Sequence, residues 1–555
     1  MDSLLELCAR AVAQAAPVDE ILAYAAFLPK DVTRRIWRHM QPARLRELEL
    51  LLVASAPDVA LIDEIERQWE IWTEEDVTVH FDTNESSRYF ARESDSVYIR
   101  STSLPHPRPF RSLYWEHAFR AMLSSVVDAV DHPLSLFDNA VFKVKLRGKE
   151  LTATNLTRVL AVQSVRRVEV HHIDPSDTAF WPRLTQLILH QPHLQELCIL
   201  HSRLSTFAPI SDALQGRHDC PIAMLEVVSV KLRPAAFLDL SRLVPSGVVR
   251  GVRLSNTIVD HEDTASLISS MLASLDTVLL PHNELDDDAL ATIMAHPPPS
   301  IRRLSLGHNC LTNVAALRHC THLVDLDLSH NDLRDGGIHV LATACLPSLP
   351  RLTTLILSEC AFSLVGAVEL LAALTPSTTL HVLDIGHNYL GPDVAAVVAA
   401  FLAQNASVTA LHLNYVNLGQ EGVTDALCTA LRQASRLTRL AVAENRLWDS
   451  GAAKLFAAMP FPMHAIDLSG NVISKSGLDA IAAYARQATH CEDDRSMKRR
   501  QGAASSSSSL VDELNLRNNI FAAADVREAL VPLAAALPVV WSTEWRHKTY
   551  DDATC

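Results

Sequence analysis

The chain has 555 residues, of which 48% are hydrophobic and 20% charged. It can therefore bury more apolar surface than one compact core usually holds, and we expect several domains or an elongated array. Acidic residues outnumber basic ones by 64 to 49, and the formal charge of −15 argues against a nucleic-acid-binding surface built from basic side chains.

The start of the chain lacks the positive charge of a signal peptide, and no apolar run is long enough to span a membrane. The ten cysteines form no CxxC pair, and most lie among leucines and alanines, which indicates reduced core thiols. We therefore expect a cytoplasmic protein, with a nuclear location also open. We expect neither membrane contact nor a metal or other cofactor.

Residues 1–72 are expected to form a small helical module. The stretch SLLELCARAV predicts a short amphipathic helix, one face of which carries Leu4, Leu7, Cys8, Ala11 and Val12. A second helix is expected in FLPKDVTRRIWRHM, because proline is well placed at the start of a helix. The apolar face of the first helix must pack against something.

Residues 73–140 connect this module to the rest of the chain. The stretches DVTVHF and SVYIR predict strands, and SLPHPRPF is a connection interrupted by proline. The stretch LYWEHAFRAMLSSVVDAV predicts a helix that caps whatever structure follows it.

Residues 141–489 repeat one pattern: apolar, two free positions, apolar, one free, apolar, two free, Asn, one free, apolar. Clear copies are IRRLSLGHNCL, LVDLDLSHNDL, LHVLDIGHNYL, LTRLAVAENRL and MHAIDLSGNVI. Weaker copies bring the number to fourteen, and the last begins at Val511. The pattern resembles the leucine-rich repeat. With a period of about 28 residues and a helical segment in each unit, it resembles the ribonuclease-inhibitor type.

Each repeat predicts a short strand with inward leucines, followed by a turn and a helix. The fold class is therefore α/β, a curved leucine-rich repeat solenoid with parallel strands on the concave side and helices on the convex side. It is preceded by the small N-terminal helical module. Asparagines recur after the strands, where they can satisfy backbone groups as a ladder. They are Asn283, Asn309, Asn331, Asn388, Asn445, Asn471 and Asn519.

The last two repeats are separated by about 20 residues more than the period allows. The extra segment, HCEDDRSMKRRQGAASSSSS at residues 490–509, is charged and then serine-rich, so we expect a disordered insertion. Residues 510–555 would then form the last repeat and a C-terminal cap, built from a helix at DVREALVPLAAAL and the tail WSTEW.

No catalytic motif is present: the chain has no GxxxxGK[ST] loop, HExxH, GxSxG or paired-cysteine signature. We therefore expect no catalytic residues and no enzyme activity. Histidine does precede the ladder position in six repeats, at His172, His201, His282, His308, His330 and His387. Such a column could bind metal or respond to pH. A turn that favours polar residues explains it better, because Asn256, Tyr415 and Asn518 occupy the same position.

The side chains between the inward leucines should line the concave face and bind a protein. In the early repeats the basic residues at these positions are Lys143, Lys145, Arg147, Arg167 and Arg253. They stand against Glu169, Glu196 and Glu226, and the face becomes mainly acidic from Leu323 onward. The residues expected to contact the protein partner are Arg303, Asp325, Asp327, Asp384, His412, Asn414, Arg439 and Asp467.

The first helix also carries a short motif. Ser3-Leu4-x-x-x-Cys8-x-x-x-Val12 matches the elongin-binding box, [Ser/Thr/Pro]-Leu-x-x-x-Cys-x-x-x-[aliphatic], at every specified position. The chain thus resembles leucine-rich repeat substrate receptors of elongin BC/cullin-2 ubiquitin ligases, including the PRAME-like group. The resemblance implies that Leu4, Cys8 and Val12 bind elongin B/C and that the concave face selects the substrate.

A second box lies downstream of the first, in the order that such receptors use. Leu28-Pro29-x-x-Val32-x-x-x-Ile36 matches the cullin-2 box, which is apolar-Pro-x-x-apolar-x-x-x-apolar. The resemblance implies that Leu28, Pro29, Val32 and Ile36 bind cullin-2. Each box alone is degenerate, and the order of the pair makes it more specific.

Three alternatives remain open. The N-terminal helices could only cap the solenoid. The stretch LPKDVTRRI also resembles an F-box, which would imply Skp1 and cullin-1 but does not account for Cys8. The chain could also be a repeat scaffold or regulator without a ligase. It lacks the phosphate-binding domain of innate-immune receptors, and it ends in YDDATC where RanGAP-like proteins usually have a long acidic tail.

Overall fold

The protein forms two compact units in a computed structural model. The structure describes residues 4–18, 21, 30–41, 43–48, 110–124, 133–486 (except 175, 203, 205, 218–221, 233, 244–246, 259, 260, 273 and 296–299), 511–521, 525, 528, 529, 539 and 540. The first unit comprises Met1–Arg92 and Ser101–Val259, and the second comprises Glu93–Arg100 and Asp260–Cys555. The boundary thus falls within the stretch that the sequence assigns to one array of repeats.

The first unit alternates strands with helices. Its helices are α1 (Leu4–Ala15), α2 (Lys30–Arg38), α3 (Phe110–Leu123), α4 (Ala153–Ala161), α5 (Phe180–His190), α6 (Ala208–Gln215) and α7 (Pro234–Leu243), and residues 43–48 are also helical. Its strands are β1 (Lys143–Arg147), β2 (Arg167–His171), β3 (Glu196–Leu200), β4 (Ile222–Val228) and β5 (Val249–Ser255). These five strands pair in chain order, and each pair is parallel.

The second unit continues the alternation. Its helices are α8 (His261–Leu272), α9 (Asp287–Ile293), α10 (Arg334–Val340), α11 (Leu364–Leu374), α12 (Val394–Gln404), α13 (Asp425–Gln433), α14 (Trp448–Phe456) and residues 475–486. Its strands are β6 (Thr277–Leu279), β7 (Arg303–Ser305), β8 (Asp325–Asp327), β9 (Thr354–Ile356), β10 (Val382–Asp384), β11 (Ala410–His412), β12 (Arg439–Ala441), β13 (Met463–Asp467), β14 (Val511–Asn515) and β15 (Val539–Val540). They also pair in chain order and in parallel.

Both units have the leucine-rich repeat solenoid fold, which confirms the predicted fold class. The described strands include one at each of the fourteen repeat positions expected from the sequence. Side chains along each strand alternate between the two faces of the sheet. Leu304, Leu326 and Leu355 are fully buried on one face, and the residues before and after each of them lie on the other face. Helices such as α12 bury an apolar face rich in Ala and Val against this core.

One repeat departs from the expectation of a helix in every unit. The repeat that begins at Ile301 is the shortest, and in place of an α-helix it has a single 3₁₀ turn at Ala315–His319. Because a 3₁₀ helix rises further per residue than an α-helix, it returns the chain to the next strand with fewer residues.

The C-terminal region holds a strand that the sequence did not predict. Val539 and Val540 form β15 and pair with Leu514 and Asn515 of β14, in a segment assigned to the capping tail. Strand β14 itself pairs directly with β13, and Met463 lies opposite Val511. The chain therefore resumes the repeat after residues 490–509. That insertion lies outside the described residues, as do the strands expected in DVTVHF and SVYIR and most of DVREALVPLAAAL.

The ladder asparagines are buried, and their amides join neighbouring repeats. In Asn309, Oδ1 accepts hydrogen bonds from the N–H groups of Asn283 and Leu285, both at 3.0 Å. Its Nδ2 donates to the carbonyls of Leu280 and Leu306, at 3.0 and 2.8 Å. Bonds to both the same and the preceding repeat recur at Asn331, Asn388, Asn445, Asn471 and Asn519. The side chain of Asn283 is buried too and donates to the carbonyl of Pro281.

Helix α3 covers the first strand of the array. Trp115 and Phe119 are buried, and both rings contact that of Phe137. Glu116 accepts hydrogen bonds from the N–H groups of Phe142 and Lys143, at 3.2 and 2.9 Å. These contacts satisfy backbone donors at the edge of β1 that would otherwise lack a strand partner.

The N-terminal helices are anchored within the first unit. Helix α1 packs against α2. The guanidinium of Arg46, which is buried, donates to the carbonyls of Leu136 and Asp138, at 3.3 and 2.7 Å. Because a buried guanidinium needs partners for its donors, this contact fixes residues 43–48 against the segment that precedes β1.

Candidate protein-binding surface

Strand pairing in the second unit places the predicted partner-binding residues on one surface, the strand face. Arg303, Asp325 and Arg439 lie in one row of register positions across the sheet. Asp327, Asp384, His412 and Asp467 lie in the adjacent row. Asn414 lies at the turn beyond β11. The register therefore places seven of the eight residues in two adjacent rows on one face of the sheet, and Asn414 follows at its edge.

The charged groups of the strand face are held by neighbouring strands. Arg303 Nε lies 3.3 Å from a carboxylate oxygen of Asp325. The carboxylate of Asp327 is buried and accepts hydrogen bonds from the hydroxyls of Ser305 and Ser329, each at 2.7 Å. The Asp467 carboxylate accepts from the Ser469 N–H at 2.8 Å. These carboxylates are thus fixed in position before any partner binds.

Asp384 and His412 lie opposite each other on β10 and β11. Burial and the charge of Asp327 raise the pKa of Asp384 to about 7, although the Gly386 N–H donates to its carboxylate. Burial and the charge of Arg439 lower the pKa of His412 to about 4. Near neutral pH the imidazole is therefore uncharged and the carboxyl is only partly ionised, so the centre of the strand face carries less charge than its sequence suggests.

Asn414 connects two repeats at the edge of the strand face. Its Oδ1 accepts a hydrogen bond from the Ala443 N–H at 2.8 Å, and its carbonyl accepts one from the His387 N–H. The amide is half-buried, so its side chain has a structural partner on one side and solvent on the other.

In the first unit the sequence predicted a mildly basic strand face, and the structure joins two of its basic residues and three glutamates in a largely buried network. The guanidinium of Arg167 contacts carboxylates of Glu169, Glu196 and Glu226 at 2.8, 2.7 and 2.7 Å. Lys143 lies 3.2 Å from Glu169. The side chain of Glu196 is only 1% exposed. The charges of Lys143 and Arg167 are therefore neutralised within the fold.

The electrostatics of this network follow from its geometry. Burial alone would raise the pKa of Glu169, but the charge of Lys143, a hydrogen bond from His171 and the charge of Arg167 hold it well below its usual range. Burial and the nearby charges of Glu226 and Glu169 raise the pKa of the Cys198 thiol well above its usual range, despite Arg167. Cys198 is thus an unreactive core thiol.

In α1, the structure separates a packed face from an exposed face. Ala9 and Ala13 are buried, whereas Cys8, Ala11 and Val12 are exposed, and Val12 retains 38% of its accessible surface. The side chain of Leu4 lies outside the described residues. Of the apolar stripe found in the sequence, the described side chains of Cys8, Ala11 and Val12 therefore face solvent.

The residues of the second box are placed differently. Val32 is half-buried and Ile36 is 4% exposed, within α2. Leu28 and Pro29 lie outside the described residues. Of the apolar residues of this box that are described, only Val32 presents substantial surface to a partner.

The histidine column lies at a turn with left-handed backbone. In thirteen repeats of the described chain the residue before the ladder position has a φ between 47° and 66°, and histidine occupies six of these positions. Polar residues such as Asn and His tolerate this conformation better than most, which explains the polar preference. His308 lies 4.0 Å from His282 and 3.7 Å from His330, measured between ring centres.

Neither a metal site nor a membrane segment was found in the part of the chain that the structure describes. No cluster of three or more His, Cys, Asp or Glu side chains there is arranged to hold a metal ion. None of the helices described has both the length and the apolar composition that a bilayer crossing requires.

Sequence reasoning missed a second set of contacts between repeats, on the helical side of the second unit. The Asp335 carboxylate accepts hydrogen bonds from the N–H and hydroxyl of Ser363, at 2.8 and 2.7 Å, and from the Gly366 N–H at 3.0 Å. Asp287 binds Thr312 in the same way, and Asp449 binds Ser474. The sequence does carry a signal for these contacts: an Asp at the start of one helix is followed, one repeat later, by a Ser or Thr.

Comparisons with known proteins agree with the repeat fold. A Leucine Rich repeat family model matches residues 319–342 and 461–482. A segment of 227 residues is 30% identical to NACHT, LRR and PYD domains-containing protein 3 of Homo sapiens, over 38% of this chain and 22% of that protein. A segment of 214 residues is 27% identical to the ribonuclease inhibitor of Mus musculus, over 36% of this chain and 47% of that protein.

The match therefore spans less than half the length of each of these relatives. An internalin from Listeria monocytogenes superposes with a TM-score of 0.32 and 14% identity, over 78% of this chain and 95% of that chain. That similarity is too weak to add to what the strand pairing shows. The chain contains leucine-rich repeats, and they are similar to those of ribonuclease inhibitor.

Proposed function

We propose that the protein is a non-catalytic substrate receptor of a cullin-RING ubiquitin ligase. In this role α1 recruits elongin B/C through Leu4, Cys8 and Val12, and the strand face of the second unit binds the protein substrate. Leu28, Pro29 and Val32 contact cullin-2.

The proposal is carried by the exposed apolar stripe of α1. Cys8, Ala11 and Val12 face solvent on a helix whose opposite face packs through Ala9 and Ala13. A capping helix would bury its apolar stripe, because burial of such side chains is what stabilises a cap. An exposed stripe at i, i+3 and i+4 is instead the arrangement by which a helix docks into a groove on a partner.

The strand face supports the second half of the proposal. Its carboxylates are held by neighbouring hydroxyl and N–H groups, so little side-chain entropy is lost when a partner binds. Arg303 and Asp325 place both signs of charge side by side on one surface, which suits recognition of a protein by electrostatic complementarity.

Ile36 is 4% exposed, so the proposed cullin-2 contact does not use it. Two other functions are the alternatives to this proposal. An F-box receptor would use Skp1 and cullin-1 through the same helices. A scaffold or regulator without a ligase fits the similarity to the NACHT-containing protein and to ribonuclease inhibitor, both of which match within the repeats.

The test is co-purification of the full chain with elongin B/C, cullin-2 and Skp1. The variant Cys8→Asp/Val12→Asp places charge on the exposed stripe, and we expect it to lose elongin B/C and with it cullin-2. The matched control is Gln14→Asp/Ala15→Asp, which places two charges at exposed positions of the same helix. We expect the control to retain both partners.

A third variant, Leu28→Ala/Pro29→Ala, should retain elongin B/C and lose cullin-2. Recovery of Skp1 with the wild-type chain would assign it to the F-box class instead. Recovery of none of the three by a folded wild-type chain, as judged by circular dichroism, would leave a repeat scaffold and refute the ligase proposal.

A further inference from the structure

Exposed basic residues lie along one edge of the sheet in the second unit, at the end where the parallel strands begin. The structure describes residues 300–486 without a gap, so this edge is described throughout from β8 to β12. We call it the basic edge, and its members are Arg318, His322, Arg351, His381 and Arg436, all of which are exposed. They belong neither to the strand face nor to α1, so the basic edge is separate from the surfaces that the proposed function uses.

A continuous ladder of hydrogen bonds runs along this edge. The Val324 carbonyl accepts from the Thr353 N–H at 2.7 Å, and the Thr353 carbonyl accepts from the His381 N–H at 2.8 Å. The ladder continues through Thr409 to Thr438, at 2.8 Å for each step. The hydroxyls of Thr353, Thr409 and Thr438 donate to the same carbonyls, each at 3.2 Å. Because neighbouring strands lie about 4.8 Å apart, the edge from β8 to β12 is about 20 Å long.

The basic residues have fixed positions relative to this ladder. His381 is one of the ladder residues, and its Nδ1 bonds to the carbonyl of Thr379. His322, Arg351 and Arg436 each lie two residues before a ladder residue. The backbone that carries the basic side chains is therefore ordered before a partner binds, which limits the entropy lost on binding.

The arginines of the basic edge are not neutralised within the part of the chain that the structure describes. Arg318, Arg351 and Arg436 form no ion pair with any described residue. The guanidinium of Arg318 donates to the imidazole of His319 at 2.9 Å, which leaves its charge in place. All three arginines are therefore available to an anionic partner.

The segments that form this edge contain no acidic residue. They return the chain to β8 through β12 and comprise residues 316–324, 346–353, 374–381, 403–409 and 431–438. The exposed carboxylates of Glu359, Asp393 and Glu421 follow β9, β10 and β11 and therefore lie at the opposite edge of the sheet. The two edges thus differ in charge, although the chain as a whole carries a formal charge of −15.

The composition of the same segments argues against two classes of anionic partner. They contain no Phe, Tyr or Trp, on which the bases of a single-stranded nucleic acid would stack. None of the large hydrophobic side chains that are exposed in the described chain lies in them, so they offer a membrane surface nothing to insert. The favoured partner is therefore an anionic protein segment.

We propose that the basic edge binds an extended acidic segment of a protein, about six residues long or longer. An extended chain advances about 3.3 Å per residue, so six residues cover the edge from β8 to β12. Guanidinium groups pair with carboxylates through two parallel hydrogen bonds, which suits Arg318, Arg351 and Arg436 to Asp and Glu side chains. This interaction does not depend on the proposed ligase role.

The test uses the full chain and a fluorescein-labelled peptide of ten glutamates, with binding measured by fluorescence anisotropy. The variant Arg351→Gln/Arg436→Gln removes two charges from the basic edge, and we expect affinity to fall by about fivefold or more. The matched control is Arg334→Gln/Arg446→Gln, which removes two exposed arginines that follow strands of the same unit, at the opposite edge. We expect the control to bind within about twofold of the wild type.

Three results would overturn the proposal: no binding of the peptide by a wild-type chain that circular dichroism shows to be folded, an equal loss in both double variants, or binding of triglutamate as tight as that of the ten-residue peptide. A ten-nucleotide oligothymidine is the competing probe. If it binds more tightly than the glutamate peptide and is lost in Arg351→Gln/Arg436→Gln, the edge is a nucleic-acid site and the proposal is wrong.

Discussion

The two units build the same fold with different polar interactions. In the second unit, strands β6 to β12 have three residues each, and buried asparagine amides follow most of them. In the first unit the strands have five to seven residues, and the ladder position holds Ile173, Ser202, Val230 and Thr257 instead of asparagine. The longer strands satisfy more of their backbone groups by pairing with neighbouring strands. Beside the shorter strands, a side-chain amide satisfies some of these backbone groups instead.

The strand faces differ in the same way. In the first unit, Arg167 joins glutamates on three strands, and the charges are buried. In the second unit, Arg303 and Asp325 form a pair that is partly open to solvent. The comparison indicates that Arg167 and its glutamates are engaged within the fold of the first unit, whereas Arg303 and Asp325 of the second unit remain accessible to a partner.

The largest expected effect is at Arg167. Replacing it as Arg167→Met leaves three glutamates without their shared partner, and we expect the free energy of unfolding to fall by about 3–5 kcal/mol. Urea denaturation at neutral pH measures the loss. The matched variant Arg303→Met removes a partly exposed ion pair and should cost less than about 1 kcal/mol.

The effect of Arg167→Met should also depend on pH. The pKa of Glu169 and of Glu226 is lowered in the folded protein, so their contribution to stability is complete above their ordinary pKa and is lost as pH falls through the lowered values. The difference between wild type and variant should therefore shrink on acidification. If Arg167→Met and Arg303→Met lower the free energy of unfolding equally, the two strand faces do not differ in the way described.

An intermediate effect is expected at the asparagine ladder. In Asn445→Ala the N–H groups of Val416 and Leu418 and the carbonyl of Leu413 lose a buried partner. We expect a loss of about 2–3 kcal/mol in the free energy of unfolding, because these buried groups are removed from water and no longer form a hydrogen bond.

The control for the ladder is the equivalent position of the first unit. Thr257→Val keeps the shape of the side chain and removes hydroxyl bonds to the carbonyls of Val227 and Ser255, so it should cost about 1 kcal/mol. Both variants are compared by urea denaturation. If Thr257→Val lowers the free energy of unfolding as much as Asn445→Ala does, the two units depend equally on the ladder position.

The smallest effect is expected at Asp384. Its pKa of about 7 is raised in the folded state, so ionisation destabilises the fold and stability falls as pH rises from about 4 to 7. Asp384→Asn should therefore raise the free energy of unfolding by about 1 kcal/mol or more at about pH 8 and by much less at about pH 4, near the ordinary pKa of the carboxyl group. Denaturation at the two pH values measures the change.

Asp327→Asn is the matched control for Asp384. The Asp327 carboxylate accepts hydrogen bonds from two serine hydroxyls, so replacing one oxygen by a donor should destabilise the protein at both pH values. A gain in stability from Asp327→Asn, or none from Asp384→Asn above neutral pH, would contradict the roles assigned to these two carboxyl groups.

Much of the fold was predictable because it depends on periodic spacing. The leucine alternation located fourteen strands, and the recurrent asparagines located a hydrogen-bonded ladder. The strand at Val539 and Val540 was missed because a strand of two residues is too short to show an alternating pattern. The 3₁₀ turn at Ala315–His319 was missed because a helical segment was assumed in every repeat.

The candidate sites were less predictable. The sequence placed Arg167 on the strand face but gave no sign that it is buried, since its partners Glu196 and Glu226 lie 29 and 59 residues away. In α1 the sequence identified an apolar stripe and could not decide whether it packs inward. The structure buries Ala9 and Ala13 and leaves Cys8 and Val12 exposed.

By itself, the sequence determined the repeat, the strand positions and the side of each strand that enters the core, because those depend on local spacing. Only the tertiary structure decided which charges are neutralised and which described side chains of α1 are exposed. Those properties arise from residues brought together by pairing of distant strands, and burial depends on everything that surrounds a side chain.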